Sequence, residues 1–118
     1  MLKIPVHDWK LGLRSLAIVW IFAGFGEEIG YRGYLLPRAA ELGNRSKPAY
    51  ILAMLYVAVL FGLAHFYKGP AGVMDSTYSG LVLGGFYLLS GRNLWAAILA
   101  HGLVDTAAVV AIFMGWAN

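Results

Sequence analysis

Apolar residues gather in four long stretches separated by short polar ones. The first runs from about Ser15 to Leu36 and carries no charge until Glu27. The second runs from about Ala49 to Tyr67, with His65 as its only ionisable group besides tyrosines. The third, about Ser76 to Ser90, has no charge, and the fourth, about Leu94 to Trp116, holds His101 and Asp105. A membrane-crossing helix needs about 20 apolar residues. The expected fold is therefore all-α: a multi-pass transmembrane helical bundle of about four spans, with any active site between the helices. The third stretch is short for a span and is expected to begin earlier or to lie partly in the interface. Pro37 marks the end of the first stretch, because proline disrupts a helix interior. Arg38, Glu41, Arg45, Lys47 and Pro48 make the next loop, Lys68, Gly69, Pro70 and Asp75 the second, and Gly91-Arg92-Asn93 a tight turn.

Composition sharpens this reading. Of 118 residues, 60% are hydrophobic and 13% charged, against about 45–50% and about 25% in soluble domains. Too few polar groups are available to cover a water-soluble monomer, and disorder requires the opposite balance. One domain, 1–118, accounts for the length. The absence of cysteine excludes a disulfide scaffold, a thiolate metal site and a cysteine nucleophile. The net charge of +3 reads as loop charge beside anionic lipid, so the bilayer is the expected partner and nucleic acid is not. Lys3, Lys10, Arg14 and Lys68 fall on one side and Arg38, Arg45, Lys47 and Arg92 on the other; this balance assigns no sidedness. Asp8 before the apolar run and the lack of a small-residue cleavage site make the first residues a poor signal peptide. Gly26-xxx-Gly30 and Gly80-xxx-Gly84 have the spacing that lets membrane helices approach closely.

The candidate chemistry lies in ionisable groups within the apolar stretches: Glu27, Glu28, Arg32, His65, His101 and Asp105. Such groups are costly in a bilayer and face a protein interior or cavity. Glu28 and Arg32, four apart with Glu first, are in the favourable ion-pair order and read as structural. Glu27 points about 100° away and has no local partner. Phe61 precedes His65 by four residues on the same face, and His101 and Asp105 are also four apart. At about 1.5 Å per residue, Glu27 and His101 reach similar depths in a core about 30 Å thick, while His65 falls deeper. Other readings are open at this point. His65 and His101 could be axial haem ligands, the Glu/His set could carry protons across the membrane, or the chain could be a non-catalytic scaffold. Ser76, Thr77 and Ser79 have no base nearby in sequence to activate a nucleophile, and HExxH is absent.

Three motifs carry a resemblance. Glu27-Glu28-Ile-Gly-Tyr-Arg32 matches EExxxR, Phe61-Gly-Leu-Ala-His65 matches FxxxH, and His101-Gly-Leu-Val-Asp105 matches HxxxN/D. In this order, on successive hydrophobic stretches, they resemble the CPBP family of CAAX prenyl endopeptidases and bacteriocin-processing or self-immunity (Abi) proteins, over about residues 20–110. The resemblance implies an intramembrane endopeptidase acting on a peptide or lipidated peptide, in a multi-pass integral membrane protein of the bacterial cytoplasmic membrane. It assigns Glu27 as general base, His65 as its partner in activating water, and His101 and Asp105 as the residues facing the substrate carbonyl. Glu28, Arg32 and Phe61 are supporting residues. Asp105 stands where Asn is more familiar. An ionised carboxylate does not donate to an oxyanion, so Asp105 is expected to be protonated or to act by orienting His101. No cofactor is required by this scheme. The alternative is a divalent metal such as zinc or manganese held by Glu27, His65, His101 and Asp105, an N/O donor set suited to either.

Overall fold

The computed structural model describes residues 6–116. Four helices account for most of them: α1, Trp9–Glu41; α2, Lys47–Leu63; α3, Gly69–Leu89; and α4, Leu94–Phe113. A 3₁₀ turn, Phe66–Lys68, lies between α2 and α3. No strand occurs among the described residues. The starts follow local chemistry, because side-chain oxygens satisfy amides that have no partner inside the helix. Asp8 accepts from the Leu11 amide at 3.1 Å, Ser46 from Ala49 at 3.2 Å, and Asn93 from Trp95 at 3.0 Å. Pro48 and Pro70 sit in the first turns of α2 and α3, where the missing N–H costs nothing. Lys3 lies outside the described residues.

Three boundaries differ from the sequence reading. First, α1 continues through Pro37. It contains two π-helical segments, Val19–Glu27 and Ile29–Leu35, before the α-helical turn Leu36–Glu41. Pro37 falls at the start of that turn, just after the Leu36 amide bonds back five residues to the Tyr31 carbonyl. Widening of the helix supplies a fresh N-terminal turn within a continuous rod, and proline is tolerated there. Second, α3 begins at Gly69, so Pro70 and Asp75 are helical rather than loop residues. Third, α2 ends at Leu63, and His65 lies in the break between helices.

These boundaries revise the count of spans. α1 and α4 are each long and apolar enough to cross a membrane. α2 and the segment Phe66–Leu89 qualify only together, as a broken span or re-entrant pair set at 55° across the break. The reason is physical: α2 has 17 residues, and the first half of α3 spends its length on Gly, Asp, Ser and Thr.

Small residues set the close approaches. A Cβ on Gly80 would lie 3.1 Å from the Ala58 Cα, and one on Gly84 2.6 Å from the Met54 Cγ. The Gly80-xxx-Gly84 pattern thus seats α3 on α2, which folds back beside it. Gly26-xxx-Gly30 does not act in this way: Gly30 has nothing within 4 Å, and Gly26 meets its own helix at the Ile21 carbonyl. The α1–α4 contact is made elsewhere, where Gly102 leaves room for the Trp20 ring and Trp20 Nε1 donates to Thr106 Oγ1 at 2.9 Å.

The molecule measures 50 × 29 × 17 Å, the length of α1 and about two helices deep. At one end all four helices close on a core that includes Leu36, Tyr50, Val57, Tyr87 and Ala97. At the other end α1 and α4 pair around Val19 and Val109, and a cleft opens between them and the α2–α3 hairpin. Phe22, Leu52 and Leu103 are more than half exposed on the outside, as residues facing lipid are.

Candidate active site

The floor of the cleft is built on the middle of α1. Glu28 lies between the two π-helical segments. A helix closed by i→i+5 bonds carries more residues per turn and rotates less per residue than an α-helix. Glu27 and Glu28 nevertheless address one partner, each at a different ring nitrogen. That partner is His101 of α4. Its Nδ1 lies 2.7 Å from Glu28 Oε2, and its Nε2 lies 3.5 Å from Glu27 Oε1 and 3.3 Å from Asp105 Oδ2. His101 is 7% exposed, whereas the Glu27 and Asp105 side chains keep 33% and 30% of their surface.

Below His101 the network becomes fully buried. Glu28 and Arg32 are both 0% exposed, and Arg32 Nη1 donates to Glu28 Oε2 at 3.0 Å. One carboxylate oxygen thus serves the guanidinium and the imidazole together. Arg32 Nη2 donates to the Gly80 carbonyl of α3 at 2.8 Å, and its Cζ lies 4.9 Å from the Phe61 ring centre. Among the described residues, Glu28 Oε1 and Arg32 Nε have no hydrogen-bond partner. Such a pair is costly to disrupt, because removing one member strands the other's charge away from water.

His65 stands on the wall of the cleft. Its Nδ1 is 2.6 Å from the Phe61 carbonyl oxygen, and its ring is 4.8 Å from the Phe61 ring. A carbonyl only accepts, so Nδ1 carries a proton and Nε2 of the neutral ring keeps its lone pair. The cavity between the helices is about 660 Å³ and is lined by Glu27, Phe61, His65, His101 and Asp105, with Asp75, Ser76 and Ser79 on the α3 side.

The sequence-predicted residues are therefore gathered in two groups. Glu27, Glu28, Arg32, His101 and Asp105 form one contact network; His65 lines the same cavity on the other side of Phe61, whose ring is 6.0 Å from that of His101. Among the described residues, no three His, Asp or Glu side chains are grouped in an arrangement that could hold a metal ion. A haem axial role fits poorly as well, since both His101 nitrogens already face carboxylate oxygens. Sequence reasoning missed the Glu28–His101 contact and the Gly80 carbonyl, and it read Asp75 as a loop residue. Only Asp75 and Ser79 left a trace, being four apart and so on one face of a helix.

Fold and site together define a class: a helical membrane protein whose acids meet one imidazole at the floor of a cleft that a second imidazole lines. Residues 9–107 match the family described as Type II CAAX prenyl endopeptidase Rce1-like. The chain belongs to that family, in agreement with the resemblance carried by its three motifs, and is an integral membrane protein of endopeptidase kind. Neither a curated protein nor a solved structure matches it.

Proposed function

We propose that the protein hydrolyses peptide bonds of membrane-associated peptides or proteins, CAAX-type or bacteriocin-like, with a water activated by Glu27 and His65. The observation that carries the reading is the meeting of His101 with Glu27, Glu28 and Asp105 at the floor of a cleft that His65 also lines. Water gives up one proton to the Glu27 carboxylate, while His65 Nε2 accepts a hydrogen bond from its other O–H, as the water oxygen attacks the carbonyl carbon. The carbonyl electrons move onto oxygen, and His101, whose two nitrogens each face a carboxylate oxygen and so each carry a proton in this scheme, donates to that oxyanion through Nε2 while Nδ1 stays bonded to Glu28. A donor of this kind contributes about 3–4 kcal/mol in the transition state. The C–N bond then breaks, and the abstracted proton passes to the leaving amine.

Asp105 acts on His101. Its Oδ2 at 3.3 Å from Nε2 steers the ring, which accounts for an acid where an amide is more familiar. Glu28 and Arg32 hold the other edge of the same imidazole. The scheme uses no resident metal.

The test is hydrolysis of a fluorogenic farnesylated CAAX-type peptide, and of an unprenylated leader-type peptide, by the chain in liposomes. Cleavage of either, reduced by about 100-fold or more in Glu27→Gln at unchanged expression and folding, is expected from loss of a general base. Equal activity in that variant refutes the assignment of the base.

A further inference from the structure

Phe61 touches more of the site than any motif reading requires. It is 4% exposed. Its ring centre lies 4.9 Å from the Arg32 guanidinium carbon, 4.8 Å from the His65 ring, 5.1 Å from Tyr31 and 6.0 Å from His101. Its backbone is engaged too. α2 ends at Leu63, and the His65 amide bonds to the Gly62 carbonyl at 3.0 Å. The Phe61 carbonyl is thus one of the last-turn acceptors that a helix leaves without a partner of its own. The His65 imidazole takes it at 2.6 Å, as side chains near helix C-termini do. One residue therefore contacts His65 twice, through the carbonyl at Nδ1 and through a phenyl ring tilted by 47° at 4.8 Å.

This double contact is itself anchored. Arg32 is tied to Glu28 and to Gly80, so the cation that meets the phenyl face belongs to the most buried part of the molecule. The next residue along, Gly62, is pressed so closely on α3 that a Cβ there would collide with Thr77. The end of α2 is thus seated directly on α3.

We propose that Phe61 is a positioning residue that fixes the His65 imidazole, with Nδ1–H donated to the Phe61 carbonyl and Nε2 turned over to the cavity as a hydrogen-bond acceptor for the water that Glu27 deprotonates. The two imidazoles then have opposite duties. His65 accepts through a free Nε2, and His101, with carboxylates at both edges, donates. The phenyl ring stands between them, 4.8 Å from His65 and 6.0 Å from His101. The inference rests on the peptidase reading for its kinetic consequence but not for its structural content.

The test combines kinetics with histidine ¹⁵N spectroscopy of the full chain in detergent micelles, at a pH where the His65 ring is neutral, with signals assigned by His65→Gln. The wild-type ring is expected as the single Nδ1–H form. In Phe61→Leu the carbonyl remains and the ring wall is lost, so the two neutral forms are expected to average. There kcat on the fluorogenic peptide should fall about 10–100-fold, the scale of a misplaced catalytic group, with KM within about twofold. Phe61→Tyr, which restores the ring, should recover the single form and most of the rate. A wild-type His65 carrying its proton on Nε2 overturns the proposal, as does a Phe61→Leu variant with an unaltered ring and rate. If Phe61→Leu fails to fold, loss of the Nδ1–H form in Phe61→Tyr overturns it instead. A chain with the expected spectra and no hydrolysis of any peptide leaves the positioning role standing and removes the peptidase reading.

Discussion

Removing the Glu28 carboxylate should cost far more than the loss of one hydrogen bond. Glu28 and Arg32 are both 0% exposed, and Glu28 Oε2 accepts from Arg32 at 3.0 Å and from His101 at 2.7 Å. In Glu28→Ala, Arg32 keeps its bond to the Gly80 carbonyl and loses its counter-charge. Breaking a buried pair by removing one partner costs about 3–5 kcal/mol, whereas replacing both partners with apolar residues of similar size is often near neutral. The assay is equilibrium unfolding in mixed micelles for Glu28→Ala, Glu28→Met, Arg32→Met and Glu28→Met/Arg32→Met. Each single variant should lose about 3–5 kcal/mol, and the double variant should be more stable than either. Additive losses, or a single variant that unfolds like the wild type, would refute the argument that one buried charge compensates the other.

Three further outcomes follow from the geometry. Asp105→Ala should lower kcat by about tenfold or more through a loosened His101, consistent with the cost of misorientation; an unchanged rate would remove Asp105 from the site. Gly102→Ala places a Cβ against the Trp20 ring and should destabilise the bundle by about 1–3 kcal/mol, as overpacking does, while Gly30→Ala, with nothing within 4 Å, should unfold with the wild type. Hydrolysis should persist after treatment with a chelator such as 1,10-phenanthroline; its loss, with recovery on adding zinc, would contradict hydrolysis without a metal.

Much of the fold was legible because a bilayer makes apolar run length decisive. All four stretches are helices, and the Glu28–Arg32 pair follows from spacing along one of them. What escaped depends on departures from ideal helix geometry or on distant contacts. Pro37 reads as a terminus until the π-helical turns before it are known, and no residue pattern marks those turns. His65 appears too deep when residues are counted along an unbroken helix, because α2 stops at Leu63. The Glu28–His101 bond joins residues 73 positions apart, and the Gly80 acceptor is backbone, which carries no side-chain signal. The three motifs named the candidate residues; the contacts among Glu27, Glu28, His101 and Asp105 arise only when α1 and α4 pack.

The single oxygen shared by Arg32 and His101 has a practical consequence. Any change at Glu28 alters the resistance of the bundle to unfolding and the set of the imidazole in the same stroke. A substitution there is a poor choice for an inactive control, and a screen for hardier variants will find this position closed. Glu27, one residue earlier and still in touch with solvent, is where the proposed mechanism expects turnover to be lost with the scaffold intact.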